Sequence, residues 1–416
     1  MFIVVLVFTL LTMFEMTLSS ILNIDLKFID DVFVILTFLY FIFICIKRRK
    51  IIFDKYELII AVSWILMCIV GVIGNIFVMG QKNIFAILVD ILSWQKFVFM
   101  FLASKSIIGD KNIDGRFKPI ECICKALIVV GGIFAILNLL NIINLYPTDS
   151  RYGLNIFTIM GGHPSVTSAY YACICAILFL NKDKNKIWII MSALLCAATL
   201  RSKSFVYVMV LAATFILSKD CIVKRMNTKR IIISILVLLS IGLIISFKSI
   251  KFYFLDTRAA RSILVQTSVK IANDNFPYGS GFASFGTVTS GQYYSDIYTK
   301  YNIDHLYGIS KDRPSFIGDG GLATVLGQFG YLGFILFLVS IITLIYYLLI
   351  SVKKNVNSVF AIILLFTYIL ISSTNEIAFN NSYTIVYALA MSMILILNNN
   401  KGENKKGSEL KHEKIA

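Results

Sequence analysis

The stretch ELIIAVSWILMCIVGVIGNIFVM (57–79) is followed, after a short turn, by IFAILVDILSWQKFVFMFLA (84–103). A helix needs about 20 mostly apolar residues to cross a bilayer, and both stretches are long enough. In the whole chain of 416 residues, 58% are hydrophobic and 15% are charged, whereas soluble domains carry about 25% charged residues. The two stretches therefore predict a pair of transmembrane helices in a membrane protein.

Further apolar stretches on both sides extend this pattern along the chain. We predict an all-α polytopic membrane protein with about twelve transmembrane helices and one large extracytoplasmic loop. The other predicted spans are 2–22, 32–46, 120–140, 165–180, 187–200, 204–218, 231–247, 321–350, 357–372 and 383–397.

Basic residues explain the formal net charge of +16 and also predict the orientation. They cluster in short connections such as KRRK (47–50) and NKDKNK (181–186), which lie on one side of the predicted membrane. By the positive-inside rule that side is the cytoplasm, so both termini are predicted to be cytoplasmic. The basic runs carry no nucleic-acid-binding motif, so nucleic acid is not expected as a partner. The predicted organisation is spans one to nine in 1–247, the large loop in 248–320, spans ten to twelve in 321–397 and a cytoplasmic tail in 398–416.

The eight cysteines lie in apolar segments or predicted cytoplasmic connections. Cys122 and Cys124, like Cys173 and Cys175, are two residues apart, which on a helix places them on nearly opposite faces. We therefore expect no disulfide framework, no metal site and no cofactor.

The large loop begins with DTRAARSILVQTSVKIANDNFPYGSGFASFG (256–286). Asp256 or Thr257 could cap a helix there. Arg258 and Arg261 would then lie one turn apart in its first turn, where the positive helix end adds to their charge. Two guanidinium groups in this place suit a diphosphate. The alternative is that both arginines reach lipid headgroups.

The glycines of YGSGF (278–282) permit a tight turn or a close backbone approach. Such a pattern alone is weak evidence for a phosphate-binding loop. Further along the loop, Tyr293, Tyr294 and Tyr298 offer apolar ring faces with hydroxyl tips that suit sugar rings. An interfacial aromatic belt explains these tyrosines equally well.

Several polar residues elsewhere are candidates for catalysis or binding. Asp319, where the loop re-enters the membrane, could be a general base or the N-cap of the next helix. His163 begins another helix at the same predicted face and could be a base or a structural residue. Arg201 lies in a tight turn between two apolar stretches, where a charge is either functional or part of an ordinary interfacial turn. Glu376, in a short outer connection, is a more distant candidate base.

Three segments together resemble the Wzy-type O-antigen polymerase and ligase family of bacterial envelopes. TLRSKSFVYVMVLA (199–212) is similar to the family's short polar Ser/Arg element that leads into a helix. RAARSILVQTSVKIANDNFPYGSGFASF (258–285) is similar to its arginine, helix and glycine element. DGGLATVLGQFGYLG (319–333) resembles the helix start that closes the loop, and GGHPSVTSAYY (161–171) resembles a polar helix entry common there.

The resemblance implies a glycosyltransferase of the bacterial plasma membrane. It would move a growing glycan from undecaprenyl diphosphate to a lipid-linked repeat unit at the outer face, without a metal. Arg258, Arg261 and Arg201 would bind the diphosphate, and Asp319 or His163 would accept the proton of the acceptor hydroxyl. A flippase and a chain-length regulator are the implied protein partners.

Many ligase-like relatives carry a histidine near the end of the large loop, where this chain has Asp319. We therefore favour a repeat-unit polymerase over an O-antigen ligase-like glycan transferase. A flippase or other transporter of lipid-linked oligosaccharide is the alternative from another class. It is less favoured because the polar residues concentrate in an outer loop rather than in a cavity at the membrane midplane.

Overall fold

The computed structural model describes residues 2–23, 28–48, 53–108, 113–146, 149–160, 162–222 and 259–413. A helix lies at each predicted span within these residues, and the predicted span 231–247 lies outside them. The first helices are α1 (Phe2–Leu22), α2 (Ile29–Arg48), α3 (Lys55–Val78), α4 (Ile84–Ile108), α5 (Ile113–Leu139), α6 (Pro164–Phe179), α7 (Lys182–Ala198) and α8 (Ser202–Ile222). The later ones are α9 (Ala260–Asp274), α10 (Val288–Gln292), α11 (Asp296–Lys300), α12 (Leu322–Val352), α13 (Val356–Ser373) and α14 (Tyr383–Glu413).

The described part of the chain is an all-α membrane protein, as predicted. Six of its helices are long and apolar enough to cross a bilayer, and four more have shorter apolar stretches. The total of twelve spans and the cytoplasmic position of the termini stay predictions. The six are in α2, α3, α4, α5, α12 and α13, and the shorter stretches are Val5–Glu15, Pro164–Phe179, Ser202–Ser218 and Tyr383–Asn398.

Helix α3 shows how the apolar sequence divides between protein and lipid. Trp64, Met67 and Gly71 lie on a buried face, at the three- and four-residue spacing of a helix. Ile65 and Ile76 are more than half exposed on the other side. A helix that presents large apolar side chains both inward and outward has the pattern of a membrane span, because lipid tails cover its outer face.

The connecting segment (residues 259–321) leads into α12 and meets the helix bundle at a break in that helix. The break is at Gly330, whose φ of 60° lies in the left-handed region. The N–H groups of Ser280 and Gly281 donate to carbonyls in the turn before that break, at 2.9 and 2.8 Å. A Cβ on Gly279 would come within 2.4 Å of the Gly330 nitrogen, so only glycine allows this approach.

Polar side chains of α3 and α4 complete this contact. Asn75 accepts from the N–H of Phe282 at 2.7 Å and donates to its carbonyl at 2.9 Å. Asp90, fully buried, accepts from the N–H of Ala283 at 2.6 Å and from the Gln328 side chain at 2.9 Å. We name this contact of residues 279–283 with Asn75, Asp90 and the α12 break the glycine joint. Its glycines serve backbone packing, and these N–H groups donate to the protein itself rather than to a phosphate.

The connecting segment has a small core of its own. Helix α9 begins at Ala260, after Ala259, and no described side chain caps it. The predicted cap residues Asp256 and Thr257 lie outside the described residues. The core consists of Leu264, Ile271, Phe285, Ile297, Tyr298, Ile303, Ile309 and Ile317.

The chain between α5 and α6 folds back onto the turn between α7 and α8. It contains a two-stranded antiparallel hairpin, β1 (Ser150–Arg151) and β2 (Leu154–Asn155). The N–H of Phe157 donates to the carbonyl of Ala198 at 3.2 Å. This contact holds Arg151, the start of α6 and the start of α8 near one another.

Candidate functional site

A group of charged side chains lies where the connecting segment, the turn before α8 and the connection between α13 and α14 come together. Two ion pairs hold part of the group, and the remaining members are close enough to alter one another's pKa. We name this group the charged cluster. Its members are Arg151, His163, Arg201, Lys203, Arg261, Asp319 and Glu376.

Lys203 and Glu376 form the more buried of the two ion pairs. The Lys203 Nζ lies 2.7 Å from Glu376 Oε1 and 3.3 Å from the hydroxyl of Ser372. The Tyr383 hydroxyl donates to the same Glu376 oxygen at 2.8 Å. Burial by itself would raise the pKa of the Glu376 carboxyl, but the Lys203 ammonium outweighs it and holds that pKa below its ordinary value. Glu376 is therefore an ionised, well-partnered carboxylate and a weak base.

Arg261 and Asp319 form the second ion pair. The Arg261 Nη2 lies 2.8 Å from Asp319 Oδ2, and Nη1 donates to the side chain of Asn375 at 3.3 Å. One guanidinium thus links α9, the 3-10 helix Ile317–Gly320 and the α13–α14 connection. Two residues that the sequence placed in separate roles, diphosphate binding and proton transfer, are direct partners.

Asp319 does not cap the following helix. The N-cap position of α12 is Gly321, and no side chain makes a cap hydrogen bond there. Burial raises the pKa of the Asp319 carboxyl above its ordinary value, while Arg261 acts in the opposite direction. The side chain is still one-third exposed. A carboxylate with a raised pKa and open access is suited to accept a proton.

Arg201 differs from the other cations of the cluster. It makes no ion pair with any residue that the structure describes, and its Nε is buried without a hydrogen-bond partner among them. Arg151 is the cation that acts on it most strongly, and among the described residues Arg151 contacts Asp149 at 3.3 Å and the Leu200 carbonyl at 3.4 Å. A guanidinium group without an ion-pair partner among these residues suits an anion.

His163 is the N-cap residue of α6. Its Nδ1 accepts a hydrogen bond from the N–H of Ser165 at 3.3 Å, and the ring of Tyr146 lies edge-on to it. Burial, followed by the charge of Arg201, lowers the pKa of His163 to about 4. The imidazole is therefore neutral at pH 7.

The predicted sugar-binding tyrosines lie apart from this cluster. Arg258 is outside the described residues. Tyr298 is fully buried in the core of the connecting segment, where its hydroxyl accepts from the N–H of Gly286, so it offers no face to a sugar. Tyr294 packs against Tyr298 and donates to the Ile309 carbonyl.

Tyr293 is half-buried and lies edge-on to Phe85, at the start of α4. Phe77, at the end of α3, stacks on Tyr278, which also belongs to the connecting segment. These contacts between the connecting segment and helix ends resemble an interfacial aromatic belt, the alternative to sugar binding.

For three members of the cluster, the sequence did not predict a main role in binding or catalysis. Arg151 and Lys203 were not assigned to the diphosphate, and Glu376 was only a distant candidate base. One signal was present, since Arg151 is among the few basic residues predicted on the outer side. The pairing of Lys203 with Glu376 spans 173 residues, so no local pattern could reveal it.

The described residues contain no group of three or more His, Cys, Asp or Glu side chains that could hold a metal ion. Comparison of the chain with protein-family models and with curated proteins finds no match.

Proposed function

We propose that the protein is a polysaccharide repeat-unit polymerase. It transfers a growing glycan from undecaprenyl diphosphate to a lipid-linked repeat unit at the outer face of the bacterial plasma membrane. The observation that supports this most directly is the charged cluster, in which Arg201 has no ion-pair partner among the described residues and acts on Asp319, a carboxylate with a raised pKa. The resemblance of residues 160–335 to the polymerase and ligase family supports the same reaction.

Arg201 is the principal ligand of the leaving diphosphate in this proposal. The bond between the anomeric carbon and the diphosphate oxygen breaks, and the electron pair leaves with the diphosphate. Charge therefore develops on phosphate oxygens, where preorganised guanidinium donors stabilise it. Arg201 is suited to this because no carboxylate among the described residues pairs with it, whereas Arg261 already binds Asp319.

Asp319 accepts the proton. The acceptor hydroxyl oxygen forms the new bond to the anomeric carbon, and its proton passes to the Asp319 carboxylate and then to solvent. Arg261 holds Asp319 in place and opposes the rise of its pKa that burial causes. A positioned base contributes about 10²–10⁴-fold to such a step.

The test is to delete the gene in its own host and to separate the surface glycans by size. A polymerase predicts that long chains disappear while single repeats remain. Long lipid-linked chains that are no longer attached to their final acceptor would indicate a ligase instead. Repeat units trapped on the cytoplasmic leaflet would indicate a flippase.

Complementation then ties the activity to the site. Arg201→Ala should fail to restore long chains. The matched control is Lys82→Ala, because Lys82 is an exposed cation near the connecting segment that pairs with Asp296 at 2.6 Å. Equal restoration by both variants, at equal protein levels in the membrane, would refute the assignment of Arg201.

A further inference from the structure

The N-cap bond of α6 determines which nitrogen of His163 carries the proton. A backbone N–H can only donate, so the Nδ1 that accepts from Ser165 must present a lone pair. The backbone of His163 is extended, with φ −129° and ψ 137°, as an N-cap requires. The next residue, Pro164, has no N–H, so Ser165 offers the first donor of the helix. A neutral imidazole in this position holds its proton on Nε2.

The surroundings of His163 oppose a second proton. The N-terminus of α6 carries a partial positive charge. Arg151 on β1, Arg201 before α8 and Lys203 in α8 are the cations that act on the ring. Glu376, whose carboxylate acts on the ring in the opposite direction, already has Lys203 and Tyr383 as partners. The result is a neutral ring, in agreement with a pKa of about 4.

A ring in this tautomer has a donor and no free acceptor. Its Nε2–H makes no hydrogen bond to any residue that the structure describes. Arg201, the charged residue that acts on the ring most strongly, has a buried Nε without a partner among those residues. Donors that lie together without acceptors suit the oxygens of a phosphate.

We propose that His163 is a neutral hydrogen-bond donor to the donor-lipid diphosphate, with its proton held on Nε2, and is not the general base. This inference rests on the proposed function for its ligand, a polyprenyl diphosphate, but the tautomer stands on the geometry of α6 alone. The expected loss of affinity on removing one such bond is about tenfold to a hundredfold. Loss of a base would instead lower the rate by about 10²–10⁴-fold without requiring weaker binding.

The first experiment measures the tautomer directly. The chain has three histidines, so ¹⁵N-histidine labelling of the full protein in lipid nanodiscs gives few signals. His163 is assigned by the signals that disappear in His163→Asn. We expect a protonated Nε2 and an unprotonated Nδ1 throughout pH 5.5–8. A ring that titrates near pH 6.5, or one protonated on Nδ1, would overturn the proposal whatever the protein's function.

The second experiment measures the ligand. Undecaprenyl diphosphate without sugar is added to the same nanodiscs, and its affinity is compared for wild type, His163→Asn and His163→Ala. Asparagine caps a helix well but cannot reproduce the Nε2–H, whereas alanine loses both functions. We expect both variants to bind more weakly by about tenfold or more, and the wild-type Nε2–H signal to shift on binding.

Weaker binding by His163→Ala alone would mean that the residue serves only as a cap, and would refute its role as a donor. Absence of binding by wild type would refute the diphosphate as ligand, together with the proposed function, and would leave the tautomer measurement as an independent result.

Discussion

Two of the contacts between the connecting segment and the helix bundle are built differently. In the glycine joint, backbone meets backbone at glycines, and Asn75 and Asp90 take up the N–H groups of Phe282 and Ala283. In the charged cluster, long side chains meet from several elements, and Arg201 keeps a buried nitrogen without a partner among the described residues.

This difference distinguishes a structural contact from a ligand-binding site. A buried hydrogen-bond donor without an acceptor costs about 1–3 kcal/mol, so structural contacts avoid it. In the glycine joint the N–H groups of residues 280–283 all have acceptors, and we infer that the joint positions the connecting segment. The charged cluster departs from the rule at Arg201, which is expected where a ligand supplies the missing acceptor. Variants in the two places should therefore fail in different ways.

The largest expected effect is on catalysis, at Asp319. Asp319→Asn keeps the size of the side chain but removes the proton acceptor, so the transfer rate should fall by about 10²–10⁴-fold. The measurement is the transfer rate of the purified protein with its lipid-linked substrate. Asp296→Asn, on an exposed carboxylate of the same segment, is the control and should stay near wild type. A wild-type rate in Asp319→Asn would show that the carboxylate has only a structural role.

Arg201 should show the next largest effect. Arg201→Ala removes a charge-assisted contact and should lower the transfer rate by about ten- to a hundredfold. Arg201→Lys should recover part of the loss, because an ammonium keeps the charge but lacks the planar fork. The thermal unfolding midpoint should not fall, since no described residue depends on this side chain. A fall in stability comparable with that of a joint variant would remove the distinction between the two regions.

A substitution at Gly281, in the glycine joint, should lower stability, in contrast to the substitution at Arg201. Its φ is +89°, and an added Cβ would lie 2.4 Å from the backbone nitrogen of Asn75. Gly281→Ala should therefore lower the free energy of unfolding by about 1–3 kcal/mol. Gly132→Ala is the matched control, because nothing lies within 4 Å of its added Cβ in α5 and alanine favours a helix. Thermal unfolding in detergent compares them, and equal midpoints would contradict the role of the joint.

The smallest expected effect is a shift of pH dependence at Arg261. Asp319 must be deprotonated to act, so the rate should fall as the pH drops through its raised pKa. Arg261 acts to lower that pKa, so Arg261→Gln should raise it further and move the acid limb to higher pH. The profile of transfer rate against pH measures this. An acid limb that stays in place, or moves to lower pH, would exclude Asp319 as the titrating group.

The sequence predicted most members of the charged cluster as candidate site residues, but not how they are arranged. Arg201 was recognised because a charge between two apolar stretches is unusual in a membrane protein. Arg261 was recognised by its one-turn spacing from Arg258, and Asp319 and His163 by their positions at helix starts on the predicted outer face. Their partners were not predictable. The partner of Arg261 is 58 residues away, and that of Lys203 is 173 residues away.

The roles of the tyrosines and glycines of the connecting segment were likewise not predictable from the sequence alone. Tyr298 was a candidate sugar-binding residue. An aromatic residue in a polar stretch can lie either on a surface or in a small core. Only the packing of Phe285 and Tyr294 against it decided for the core. The glycines of YGSGF were compatible with a phosphate-binding loop or with a close approach of two backbones. The structure shows the close approach, at the break in α12 at Gly330.

By itself, the sequence determined the class of protein and the positions of its helices. Apolarity is a local property, and about 20 such residues in a row have few stable alternatives to a membrane helix. The tertiary structure alone decided which charges are neutralised and which remain available. That outcome depends on which distant elements pack together, and the residues around a charge in the sequence do not identify its partner.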